Sequence, residues 1–130
     1  MLNVMVVDDS LIIRKTFTNL LQELGHTVVA QAQSGKEAIA MYSEYMPDLV
    51  TMDITMPIMS GIEALKEIKA KYKDATIIMV TSHGEEKLVM EAITSGARGY
   101  VLKPITPDKI KSVIAKVFPS KWKHNILLML

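Results

Sequence analysis

The sequence predicts an α/β fold: one five-stranded parallel sheet with five helices packed on its two faces, a three-layer sandwich. Three observations predict it. Short apolar runs alternate with segments of helical periodicity along the chain, the pattern of repeated βα units. Most of those runs are nearly continuous in apolar residues, as in strands buried on both faces. Five of the chemically capable side chains, Asp8, Asp9, Asp53, Thr81 and Lys103, stand where such runs stop. In parallel sheets ligands bind outside the carboxyl ends of the strands, so this topology gathers those groups at one edge.

The elements follow in order. Leu2 to Val7 is an apolar run ending in Asp8-Asp9-Ser10, with Ser10 suited to cap a helix. That helix repeats Ile13, Phe17, Leu20, Leu21 and Leu24 and closes at Gly25. Thr27 to Ala32 is β-branched and partly alternating, a strand nearer an edge. After Ser34-Gly35 a second helix buries Ala38, Ile39, Tyr42 and Met46 and stops at Pro47. Leu49 to Asp53 is the third strand. Gly61 opens a third helix with Ile62, Leu65, Ile68 and Tyr72 on one face. Thr76 to Val80 forms the fourth strand, and Glu85 to Ser95 a helix packed through Leu88, Val89, Ala92 and Ile93. Tyr100 to Leu102 is a short fifth strand. Thr106-Pro107-Asp108 then starts a helix as cap, first-turn proline and first-turn acid, with Ile110, Val113, Ile114 and Val117 buried. Met5, Met52 and Met79 fall within strands and belong to the core; His26 and His83 fall in loops and are expected to be exposed.

The totals bound the function. A chain of 130 residues, 49% hydrophobic and 22% charged, fits one domain. A net charge of +1 gives no electrostatic pull toward nucleic acid or an anionic membrane. The absence of cysteine excludes disulfides and thiolate metal sites. The first apolar run is too short and too acidic for a signal peptide, and Ile126 to Leu130 is far below the ~20 residues of a spanning helix. A cytoplasmic protein without membrane insertion is therefore expected.

Three carboxylates meeting in a small pocket repel one another unless a cation joins them. With only oxygen donors on offer, a hard divalent ion is favoured, and Mg²⁺ suits carboxylates, water and phosphate oxygens best. Lys103 and Thr81 add an ammonium and a hydroxyl, the equipment for holding phosphoryl oxygens. Asp53, between the acidic pair and the Thr/Lys pair, is the natural nucleophile for aspartyl-phosphate chemistry. A lone aspartate at a strand end is ordinarily a turn former. The constellation lifts Asp53 above that reading.

Asp8-Asp9-Ser10, Met52-Asp53-Ile-Thr-Met-Pro57-Ile-Met-Ser-Gly61, Val80-Thr81-Ser82 and Gly99-Tyr100-Val-Leu-Lys103-Pro104 together resemble the receiver domain of two-component response regulators. Pro47 to Pro57 is particularly similar to the single-domain, CheY-like chemotaxis subgroup. The resemblance covers about Leu2 to Phe118, so residues 1–119 would form the receiver domain and 120–130 a tail of unassigned role. It implies a flavodoxin-like sheet of order 2-1-3-4-5. It also implies that Asp53 accepts a phosphoryl group from a histidine kinase, that Asp8, Asp9, Asp53 and the backbone carbonyl of Thr55 hold Mg²⁺, and that Thr81 and Lys103 contact the phosphoryl oxygens. Thr81 and Tyr100 would switch an output face formed by the fourth helix, fifth strand and fifth helix. The implied partners are the kinase, a downstream target protein such as a flagellar motor switch, and a phosphatase, with no nucleic acid. Thr55 and His83 occupy positions that tune phosphoryl lifetime in this family. Ile105 departs from the aromatic residue common after Lys-Pro, which bears on partner contacts and not on the phosphate site.

Three other functions stay open at this point. An aspartyl-phosphate phosphotransferase would need a substrate lid and a further acid. A flavin carrier would need a hydroxyl-rich loop where Asp8-Asp9 stands. The receiver portion of a longer regulator would need an output domain beyond Phe118. The end from Ser120, with Trp122 and its apolar close, reads as a loosely docked tail or as cover for an apolar patch.

Overall fold

The computed structural model describes residues 1–119. Five strands, β1 (Asn3–Val7), β2 (Thr27–Ala32), β3 (Leu49–Asp53), β4 (Ile77–Thr81) and β5 (Gly99–Leu102), alternate with helices α1 (Leu11–Glu23), α2 (Gly35–Tyr45), α3 (Gly61–Lys71), α4 (Glu86–Thr94) and α5 (Pro107–Val117). The sheet is parallel throughout, in the order β2-β1-β3-β4-β5. The fold is thus the expected CheY-like flavodoxin architecture, with β2 at an edge.

The strand period of two sorts the core into two layers. Met5, Val7, Val50, Met52, Ile77 and Met79 pack with α2, α3 and Ala92 of α4. Val4, Val6, Leu49, Ile78, Val80 and Val101 pack with Phe17 and Leu21 of α1 and Ile110, Val113 and Val117 of α5. Both faces of β3 and β4 are therefore dry, and all five residues of each strand are buried. Ser10 and Thr106 cap their helices as expected, each accepting an N–H from the first turn, and Ser34 and Ser60 do the same for α2 and α3.

Several details differ from the sequence expectation. Met46 does not join the buried face of α2; it is the C-cap, in left-handed conformation at φ 43°, and its side chain is exposed. In α4 only Ala92 is fully buried and Val89 half-buried, whereas Leu88 and Ile93 are 39% and 40% exposed. The helix rests on the sheet through a narrow stripe, because small residues rather than Leu and Ile make the contact. His26 is half-buried, not exposed, and its Nδ1 accepts the Leu2 N–H at 3.1 Å. β4 runs one residue later than expected, so Thr81 is its last residue. The tail from Ser120 lies outside the described residues. Among the described residues no helix is long and apolar enough to cross a membrane.

Candidate functional site

Register brings the chemical groups together. Val7 pairs with Met52, so Asp8 and Asp53 follow a matched pair at the ends of β1 and β3. Asp53 lies beside Val80, and Thr81 beside Leu102, which puts Thr81 and Lys103 at the same edge. Carboxylate oxygens of Asp8, Asp9 and Asp53 lie within 4.8 Å of one another. Asp8 and Asp53 are buried, at 2% and 6% exposure, and Asp9 is exposed. Lys103 reaches in from the far side, its Nζ 3.4 Å from Asp8 Oδ2 and 3.6 Å from Asp53 Oδ1. Of the expected site residues, Asp8, Asp9, Asp53 and Lys103 form one cluster.

Local structure explains why these side chains hold their places. The Ser10 N–H donates to Asp8 Oδ1 at 2.9 Å, and Arg14 Nη1 donates to the Asp8 carbonyl at 2.7 Å, so the first turn of α1 fixes the β1–α1 loop. Behind Asp53, the start of α3 closes directly onto the strand end. A Cβ at Gly61 would lie 2.0 Å from the Asp53 carbonyl oxygen, so only glycine fits there. The Gly61 N–H donates to Ile54 O at 2.8 Å and locks that approach. After the cis Lys103–Pro104 bond, Lys109 Nζ donates to the carbonyls of Leu102 and Pro104, pinning the loop that carries Lys103.

The electrostatics match the crowding. The Asp53 carboxyl is pushed up from 3.8 to about 6 by its burial, with Asp8 and Asp9 adding to the rise and Lys103 and the Thr55 N–H opposing it. One ammonium does not balance three acids. The pocket is short of positive charge, and its free donors are all hard oxygens.

Thr81 is buried at the end of β4, but its hydroxyl is turned to a residue the sequence reading treated only as a helix start. Thr81 Oγ1 donates to Glu85 Oε1 at 3.0 Å, the Ser82 N–H donates to the same oxygen at 2.6 Å, and the Thr55 hydroxyl donates to Glu85 Oε2. Burial raises the Glu85 carboxyl, but these hydrogen bonds and nearby Lys103 outweigh it and hold the group below the ordinary glutamate value. Glu85 therefore ties the β3–α3 loop to the β4–α4 loop at the rim of the pocket. The only sequence signal was an acid four residues after Thr81. Tyr100 stands 53% exposed on β5, and His83 is exposed.

The family model for the response regulator receiver domain matches residues 4–115. The chain is similar to the chemotaxis protein CheY of Bacillus subtilis, 43% identical over 113 residues, covering 87% of this chain and 94% of that one. Among solved structures it is similar to a CheX-CheY-BeF3-Mg+2 complex from Borrelia burgdorferi, with TM-score 0.85, 36% identity and coverage of 89% of this chain and 88% of that one. A LuxR-family two-component response regulator from Aurantimonas gives TM-score 0.86 and 34% identity, covering 92% of this chain and 86% of that one.

Proposed function

The chain belongs to the response regulator receiver domain family of two-component signalling, and from that premise we propose that it is a phosphorylation-controlled binding module acting in the cytoplasm. Asp53 is the phosphoacceptor. One of its carboxylate oxygens attacks the phosphorus of a kinase phosphohistidine; the O–P bond forms as the N–P bond breaks, and the imidazole leaves. The observation that carries this reading is the buried Asp53 carboxylate held between Asp8 and the Lys103 ammonium. With a pKa of about 6, Asp53 is ionised by about ten to one at pH 7 and is available as a nucleophile.

The donor set fits Mg²⁺. Asp8, Asp9 and Asp53 offer converging carboxylate oxygens, the pocket lacks positive charge, and the Thr55 backbone is near enough to pull the Asp53 carboxyl downward. Asp8, Asp9, Asp53 and the Thr55 carbonyl would hold the ion. Bound there, Mg²⁺ supplies the charge that offsets the acids and the phosphoryl oxygens. Lys103 orients a phosphoryl oxygen from the opposite side, and Thr81 donates to another. Asp53 phosphorylation adds about −1.5 to −2 charges beside Asp8. Thr81 and Tyr100 then move, changing the face of α4, β5 and α5 that a target protein reads.

Residues 1–119 form this receiver unit. The similarity to chemotaxis proteins supports a chemotaxis pathway, with a histidine kinase upstream and a target such as a flagellar motor switch downstream. The Borrelia protein's complex with CheX in the presence of BeF3 and Mg supports a further partner for the phosphorylated form, in our reading a phosphatase. The test is uptake of label from radioactive acetyl phosphate with Mg²⁺. The parent takes up one phosphoryl group and Asp53→Asn takes up none; equal labelling of the two proteins overturns the assignment.

A further inference from the structure

Resting on the reading of Asp53 as phosphoacceptor, we propose that Glu85 is a positioning residue that detains the Thr81 hydroxyl in the resting protein and opposes phosphoryl capture until it is released. A threonine hydroxyl has one proton to donate. In this structure that proton is directed to Glu85 Oε1, 3.0 Å away, with the Ser82 carbonyl at 3.3 Å as the other acceptor. The two other donors at the rim, the Ser82 N–H and the Thr55 hydroxyl, are committed to the same carboxylate. A phosphoryl group on Asp53 brings three acceptor oxygens that need donors, and the Thr81 hydroxyl cannot serve both.

Glu85 is suited to be the loser of that contest. Its oxygens are partly solvated, it sits at the N-cap of α4 without making the usual cap bond, and it carries the same sign of charge as the phosphoryl group. Releasing it frees the β4–α4 loop from the β3–α3 loop, since Glu85 holds Thr81, 4 positions before it, and Thr55, 30 positions before it, at once. The latch thus couples capture of the phosphoryl group to freedom of the loop that leads into α4.

The test uses the full chain with Mg²⁺ and beryllofluoride, a phosphoryl mimic, with affinity read from the Lys103 amide resonance, which every variant keeps. Glu85→Ala is expected to tighten binding about tenfold, the equivalent of one charge-assisted hydrogen bond of about 1.4 kcal/mol. Glu85→Gln, whose amide oxygen can still accept from Thr81, gives a smaller gain. In a Thr81→Val background Glu85→Ala is expected to add nothing, because the hydroxyl it detains is gone. A gain that persists in that background marks simple charge repulsion and overturns the latch, as does Glu85→Ala binding no tighter than the parent. No binding by the parent, or equal binding by Asp53→Asn, instead overturns the phosphoacceptor reading and the latch with it.

Discussion

Replacing Asp53 with asparagine is expected to stabilise the protein when divalent ions are removed, although it destroys the proposed activity. The Asp53 carboxyl sits at about 6 instead of 3.8, so the native state binds its proton more tightly than the unfolded chain does. At about 1.4 kcal/mol for each tenfold change in proton affinity, ionised Asp53 costs the native state roughly 3 kcal/mol. The sign fixes the pH window. Below pH 4 both states hold the proton and the penalty is absent; it grows as pH rises through 6 and is complete near pH 7. Asparagine has the shape of the neutral acid and avoids the penalty, while Lys103 keeps its contact with Asp8 at 3.4 Å. Urea denaturation in EDTA at pH 4, 6 and 8 should therefore show a gap of roughly 3 kcal/mol at pH 8 that closes toward pH 4, with a Tm difference on the order of 10 °C. Adding Mg²⁺ should narrow the gap, because the ion binds the parent and stabilises it by mass action. If the asparagine variant were no more stable than the parent in EDTA at pH 8, the picture of a pocket strained by uncompensated charge would be wrong.

Three other outcomes follow from the same pocket and its supports. Lys103→Met leaves Asp8 and Asp53 without their shared cation; metal-free stability at pH 8 should fall by about 2 kcal/mol and recover in part at pH 5, where Asp53 takes up a proton. Matching urea midpoints for variant and parent at pH 8 would contradict the pairing. Gly61→Ala forces a methyl against the Asp53 carbonyl, a backbone atom that cannot swing aside, and should cost roughly 3 kcal/mol and weaken Mg²⁺ binding measured by calorimetry. Thr51→Val removes a buried hydroxyl that has no hydrogen-bond partner in the middle of β3; a gain of about 1 kcal/mol in thermal melts is expected, and a loss of that size would reveal a partner.

How far the sequence could be read depended on whether a signal was local. Ser10 and Thr106 announce their helices because a cap bonds within three residues of itself. The strand runs announce themselves because burial on both faces leaves little room for polar residues. Asp8, Asp53, Thr81 and Lys103 are legible through a topological rule, since parallel strands expose one common edge. Glu85 obeys no such rule. Its partners are a hydroxyl on one loop and a hydroxyl and an N–H on another, and an acid before a helix looks the same whether it faces solvent or bridges two loops. The shallow seating of α4 was hidden for a related reason. Leu88, Val89, Ala92 and Ile93 have the spacing of a buried stripe, but spacing gives the direction of a face and not how closely the sheet approaches it.

That seating has a mechanical meaning. α4 has one fully buried residue, Ala92, where each of the other four helices has at least three. The helix most exposed to a partner is thus also the one moored least firmly. If Asp53 carries phosphate as proposed, α4 is the helix that a change at the strand ends would shift at least cost, since it gives up the fewest buried side chains.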